Sequence, residues 1–338
     1  MDALALHPEF VSRFPPKIHV NGDELVANVQ AYFLERWPFA SEKKKQDYLA
    51  MEVEPWALEI IYGAPMDRAE LYVAWSTFYW LYDDMLEDLS AAEAQKSGAR
   101  MIEIMSRRME PEDGMESVLH DLSCRIRQTS ISSNIKGLGE VAERFIKTGC
   151  DYVVAAVAKA QRVKSLRDGL EAYLKHRFYD VGAGFVLEGQ LWARGIVLTP
   201  DMLSDPDAAV LQDITLEHFI FTNDMFSYRK EKKHFERMKL VGVSKDRDDS
   251  GNGFIIYNSL AIFLEYYHMS PSDAMEEIKR RIRGDEEQFL EVLEKVRGKY
   301  AQSVEDREII ERASTAMMDL MGGNADWSRW CVRYNAGV

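Results

Sequence analysis

Cysteine, proline, glycine and net positive charge are all scarce in this sequence. Its three cysteines, at 124, 150 and 331 of 338 residues, are odd in number and far apart, which excludes a disulfide or zinc framework and reads as reduced thiols. Ten prolines and twenty glycines leave few places where a helix must stop. Lysine and arginine number 42 against 56 aspartates and glutamates, and the net charge of −14 argues against nucleic-acid or anionic-membrane binding. Long apolar runs are missing too. The densest stretch, 254–269, is broken by Asn258, Ser259 and Glu265, so neither a transmembrane helix nor a stable membrane anchor is expected. The opening MDALALHPEF carries neither the basic nor the apolar part of a signal peptide, and a cytoplasmic location is expected.

What is present is a helical texture. Hydrophobic residues make up 46% and charged residues 29%, the balance of a globular protein with a core large enough to enclose a cavity. From about Asp23 onward the apolar residues recur at helical spacing, with no convincing strand, internal repeat or interdomain linker. Turn signals fall at Gly63-Ala64-Pro65, at 111–114, at Thr199-Pro200 and at 250–253. One helix start is well marked: Ser270 can cap, Pro271 takes the first position, and Asp273 follows three residues after the cap. The expected fold is one all-α domain over residues 21–338, preceded by an extended arm over 1–20 that contains Pro15-Pro16.

Four constellations can carry chemistry. In FYWLYDDMLEDL, residues 78–89, helical spacing pairs Asp83 with Glu87 and Asp84 with Asp88, all within an arc of roughly 140°. Like charges so placed repel, and a divalent cation removes the penalty. In FTNDMFSYRKEKK, residues 221–233, Asn223, Ser227 and Glu231 stand at i, i+4 and i+8. That puts an amide oxygen, a hydroxyl and a carboxylate along one stripe, a set of hard ligands suited to Mg²⁺, with Lys230 beside it to meet an anion. In HRFYDVGAG, residues 176–184, Asp180 can hold the Arg177 guanidinium, and Gly182 and Gly184 permit a helix break. Near the C-terminus Arg333-Tyr334 offers a cation and a phenol donor. Each has an ordinary counterpart in a solvated helix face or a surface ion pair.

Taken together, DDMLE at 83–87 and NDMFSYRKE at 223–231 resemble the aspartate-rich and NSE motifs of ionisation-initiated (class I) terpene synthases. The helical texture and the closing Arg-Tyr resemble the microbial branch, especially fungal sesquiterpene synthases. Arg177, 46 residues before Asn223, matches the family's pyrophosphate sensor and Asp180 its linker. Val181, followed by Gly182, stands where the family usually shows a small residue acting through its carbonyl.

The resemblance implies an α-helical bundle around a deep apolar active-site cavity, acting on farnesyl diphosphate with three Mg²⁺ ions that Mn²⁺ can replace. Asp83, with Asp84 and Glu87, would hold two ions, and Asn223, Ser227 and Glu231 the third. Arg177, Lys230, Arg333 and Tyr334 would grip the diphosphate. Tyr79 and Phe219, one turn before the ligands, would line the pocket with Phe78, Trp56 and Phe185, although aromatic stripes are also ordinary core. Product would be a sesquiterpene hydrocarbon or alcohol, made by a monomer or homodimer. A monoterpene or acyclic-alcohol synthase using geranyl diphosphate is the same-fold alternative, and a non-catalytic helical scaffold the alternative of a different class.

Other matches lead elsewhere. The basic run 279–283 lacks interleaved aromatics and reads as a solvated helix face. Asp246-Arg247-Asp248-Asp249 copies the DxDD pattern of protonation-initiated cyclases but lies in a polar stretch and reads as a hydrated loop. The charged segment 232–253 has no assigned role.

Overall fold

Helical apolar spacing becomes helices packed on wide faces. The computed structural model describes residues 9–86, 89–158, 164–240 and 256–335, without the side chains of 238–240. Glu87, Asp88, the DxDD-like stretch and residues 241–253 of the charged segment therefore lie outside the described residues. Among those described there is no strand.

The chain opens with α1 (Gly22–Arg36), α2 (Glu42–Met51) and α3 (Glu54–Ile60). Then α4 (Met66–Leu86) runs through the centre, buried on nearly every face until its last turn. Helices α5 (Ala91–Met105), α6 (Gly114–Ser132) and α7 (Leu138–Ala156) follow, α6 packing on α4. After them come α8 (Leu170–Asp180), α9 (Ala183–Arg194), the short α10 (Pro200–Ser204) and the 35-residue α11 (Pro206–Leu240). The short α12 (Ser259–Ala261) leads through a π turn into α13 (Pro271–Lys299), α14 (Val304–Trp330) and the one-turn α15 (Val332–Asn335). The most extensive helix contacts are α11 on α13, α7 on α9 and α11 on α14. The buried apolar side chains form one connected cluster from Phe10 to Tyr334, as a single domain requires.

Local signals act where the sequence places them. Ser270 accepts from the Asp273 N–H at 3.2 Å with Pro271 in the first turn, and Thr199 caps α10 ahead of Pro200. Between α8 and α9 the chain breaks at Val181-Gly182, where Gly182 takes a φ of +76°. A Cβ there would collide with the Phe185 ring, so the break needs glycine for both conformation and space.

Residues 9–20 carry no helix and lie along α13 and α14. Phe10 and Phe14 are buried, Lys17 pairs with Asp319 at 3.0 Å, and Ser12 and the Arg13 N–H both donate to Glu286. Gly322 permits this seating, since a Cβ on it would overlap the Phe14 carbonyl oxygen.

The basic run of α13 is not uniformly solvated. Arg280 is exposed and pairs with Glu277, whereas Arg281 also lies over the rings of Phe221 and Phe263, each 5.6 Å away.

Two glycines in long helices should therefore respond oppositely to alanine. Gly322→Ala forces backbone apart and should destabilise by about 1–3 kcal/mol. Gly284→Ala, exposed inside α13 with nothing within 4 Å of a new Cβ, should stabilise by about 0.5–1 kcal/mol. Urea unfolding monitored by circular dichroism measures both.

Candidate functional site

The last turn of α4 emerges from the core carrying Asp83 and Asp84, both half-buried. Arg333 meets Asp84 with two nitrogens, at 2.8 and 3.2 Å, and lies 4.0 Å from Asp83, which also accepts from the Tyr152 hydroxyl at 3.3 Å. Burial alone would raise the Asp84 pKa. The Arg333 charge and hydrogen bonds outweigh it, with a smaller contribution from Lys230, and hold the carboxyl below its ordinary value. Trp80, one turn earlier, puts its ring 4.7 Å below the same guanidinium.

Across from this turn, α11 presents its stripe. Ser227 donates to Glu231 Oε1 at 2.6 Å, and Asn223 Nδ2 donates to the Tyr334 hydroxyl at 2.9 Å. Burial raises the Glu231 pKa, against the charge of Arg177. Asn258 reaches in from the residue before α12, donating to Asp224 O at 2.9 Å, Glu231 Oε2 at 3.2 Å and Ser227 Oγ at 3.4 Å.

Arg177, near the end of α8, touches the same stripe. Its guanidinium donates to Asp180 at 3.0 Å, Asn223 Oδ1 at 2.9 Å and Asp224 at 3.1 Å. Asp224 is fully buried and also accepts from the Tyr173 hydroxyl at 2.5 Å and the Ser259 N–H at 2.9 Å. Burial works against the Arg177 charge, but Tyr173, Asp224 and Asp180 raise its pKa well above the ordinary value, so it stays a cation. Val181 closes α8, its N–H donating to Arg177 O at 2.9 Å.

The dipeptide Arg333-Tyr334 thus joins the two acidic motifs. Its arginine holds Asp84 on α4, and its tyrosine meets Asn223 on α11, which in turn accepts from Arg177. Asp83, Asp84, Arg177, Asp180, Asn223, Ser227, Glu231, Arg333 and Tyr334 gather in one polar cluster. Lys230 sits beside them, close enough for its charge to act on Asp84.

Aromatic rings lie one turn deeper. Tyr79 stacks on Phe185 with centroids 4.7 Å apart, and Tyr152 closes on both at 5.0 and 5.6 Å. Trp56 packs on Phe219 at 6.3 Å and donates to Asn324 at 3.1 Å. Phe78 goes elsewhere. It packs against Trp37 and Tyr82 on the face of α4 turned to α1, because it is one position, about 100°, round the helix from Tyr79.

Local spacing assigns no role to Asp224, Asn258, Tyr152, Tyr173 or Trp80. Asp224 and Trp80 sit inside the two motif segments, where helical spacing locates them. Asn258 is 27 residues beyond Glu231 and had no local signal.

The donor set suits a hard cation. Among the described residues no three His, Cys, Asp or Glu side chains form a metal-binding group. The α11 stripe instead offers amide, hydroxyl and carboxylate oxygens, which disfavours soft metals. Ser227 Oγ and Glu231 Oε1 are 2.6 Å apart, near the separation of about 3 Å between adjacent oxygens in an octahedron with 2.1 Å bonds.

Asp224→Asn should destabilise the fold by about 1–3 kcal/mol, because the buried Arg177 cation keeps Asp180 but loses its second carboxylate. Lys175→Ala, on the exposed side of the same helix, should leave stability unchanged. Urea denaturation compares them.

The family model described as terpene synthase family 2, C-terminal metal binding, matches residues 74–288. The (+)-aristolochene synthase TS1 of Penicillium expansum is 23% identical over 337 residues, covering 98% of this chain and 92% of that protein. Terpene synthase 4 of Physarum polycephalum is 22% identical over 284 residues, 82% of this chain and 74% of that one. The crystal structure of aristolochene synthase from Penicillium roqueforti superposes with a TM-score of 0.73 at 20% identity, covering 96% of this chain and 100% of that one. Hedycaryol synthase in complex with nerolidol superposes at 0.72 with 14% identity, covering 95% and 99%. These structures share the fold, and the family match spans more than half of the sequence and both oxygen-bearing helices: the chain belongs to terpene synthase family 2, a family of metal-binding lyases.

Proposed function

We propose that the protein is a Mg²⁺-dependent sesquiterpene synthase that ionises farnesyl diphosphate and steers the resulting allylic cation to a hydrocarbon or alcohol. The observation that carries this reading is the joining of Asp84, Arg333, Tyr334, Asn223 and Arg177 in one hydrogen-bonded chain, with aromatic rings one turn along the same helices. Such a cluster provides oxygens for cations and guanidiniums for phosphate beside an apolar layer. The similarity to aristolochene synthases supports the fifteen-carbon substrate.

Asn223, Ser227 and Glu231 would hold one Mg²⁺, and Asp83 and Asp84, with Glu87, the other two. Bound there, Mg²⁺ would supply the positive charge that a diphosphate leaving group needs. Arg177 is already a cation, held by Asp224 through Nε and Nη2 and by Asp180 through Nη1, and would exchange its Asn223 contact for phosphate oxygens. Lys230 adds positive charge on the same side. Arg333 would exchange Asp84 for diphosphate oxygens while staying seated on Trp80, and the Tyr334 hydroxyl would turn from Asn223 to a phosphate. Tyr79 and Phe185 on one side, with Trp56 and Phe219 on the other, would exclude water from the prenyl chain and face the cation with their negative ring quadrupoles. Val181, at the helix break, would present its carbonyl to the same region.

Incubation with geranyl, farnesyl and geranylgeranyl diphosphates, followed by gas chromatography, tests the substrate. Farnesyl diphosphate with Mg²⁺ should give sesquiterpene and inorganic diphosphate, chelation should stop it, and Mn²⁺ should restore it. Asn223→Ala and Glu231→Ala should each lower turnover by about 100-fold or more, since direct ligands outweigh the outer-shell groups whose loss costs 10–100-fold. Mg²⁺ with pyrophosphate should stabilise the wild type by about 2.7 kcal/mol at a hundredfold excess over Kd. No volatile product and no thermal shift would overturn the reading.

A further inference from the structure

Asn258 is fully buried, carries no charge and belongs to neither motif, yet it touches two of the three oxygen donors of the α11 stripe. We infer that Asn258 is a positioning residue for that stripe, fixing which oxygen of Glu231 and which lone pair of Ser227 are presented to a bound cation. The inference rests on the reading of Asn223, Ser227 and Glu231 as a divalent-cation site.

The amide can sit only one way round. The Leu260 N–H donates to Asn258 Oδ1 at 2.9 Å, so that end is the oxygen and the NH₂ must face α11. One of its hydrogens goes to the Asp224 carbonyl at 2.9 Å. The other is shared between Glu231 Oε2 at 3.2 Å and Ser227 Oγ at 3.4 Å. Held from behind through Oε2, the carboxylate turns Oε1 toward Ser227. The serine oxygen receives one hydrogen from Asn258 while giving its own to Glu231, which directs its remaining lone pair away from both. Hydrogen bonds one layer behind metal ligands orient them, and losing one costs about 10–100-fold in metal affinity.

The neighbours of Asn258 make the support rigid. The Ser259 N–H donates to Asp224, the carboxylate that holds Arg177. The Tyr257 hydroxyl meets His176 Nδ1 at 2.7 Å, and its ring packs edge-on against Tyr173 at 4.9 Å. Three consecutive residues thus seat one segment against both α8, which carries Arg177, and α11, which carries the oxygen stripe.

A plain capping role for Asn258 predicts a different result, and two variants separate the roles. Asn258→Ser keeps an oxygen acceptor for the Leu260 N–H but cannot reach Glu231, whereas Asn258→Ala loses both functions. The readout is the free Mn²⁺ signal in electron paramagnetic resonance, titrated in the presence of inorganic diphosphate, with the thermal midpoint of the metal-free protein measured alongside. Both variants should shift one class of Mn²⁺ sites to about 10–100-fold higher concentration. Asn258→Ser should recover most of the thermal midpoint lost in Asn258→Ala. Adding Asn258→Ser to Glu231→Ala should cost less Mn²⁺ binding than Asn258→Ser costs the wild type, because the Glu231 contact is already gone and only the Ser227 contact remains to lose. If Asn258→Ser binds Mn²⁺ like the wild type, Asn258 is only a cap and the inference falls while the metal site stands. If the wild type itself takes up no Mn²⁺, the site reading falls and this inference with it.

Discussion

Asp83 and Asp84 end a helix whose other faces are buried, and both stay half-buried there. Burial disfavours the charged form of Asp84, and only positive charge beside it outweighs that penalty. Arg333 provides that charge, with Trp80 beneath its guanidinium and Lys230 adding to the field at Asp84. Because Arg333 is followed directly by Tyr334, neutralising α4 also draws a phenol onto Asn223 of α11. One electrostatic demand at the end of a single helix thereby fixes the C-terminal turn and the spacing between the two oxygen-bearing helices.

A second ion network lies deeper. Asp224 is the residue after Asn223 and is fully buried, and Tyr173, Arg177 and the Ser259 N–H use its lone pairs. Arg177 therefore reaches Asn223 already fixed by two carboxylates, and a polar side chain so held keeps its geometry without reorganisation. Removing an isolated charge from water is expensive, and complete pairing makes this burial tolerable.

Much of this was readable in the chain. The i, i+4, i+8 stripe at 223–231 and the i, i+3 pair of Arg177 and Asp180 follow from helical repeat alone, and the structure has both. Ser270-Pro271 and Thr199-Pro200 likewise act through groups within three residues of each other. Phe78 and Tyr79 show where periodicity helps less: adjacent aromatics both looked like pocket lining, and only the packing partner, Trp37 for one and Phe185 for the other, tells them apart. Asn258 was invisible because its contacts are tertiary. Its selection depends on where the chain re-enters the bundle after α11, and no local spacing encodes that.

The polar groups and the rings occupy successive turns of the same helices, with Tyr79 beneath Asp83 on α4 and Phe219 beneath Asn223 on α11. Under the proposed function, ionisation and steering would be carried by separate tiers of the same rods. Substitutions in the lower tier would then change the surface met by the hydrocarbon and leave in place the groups that grip the diphosphate.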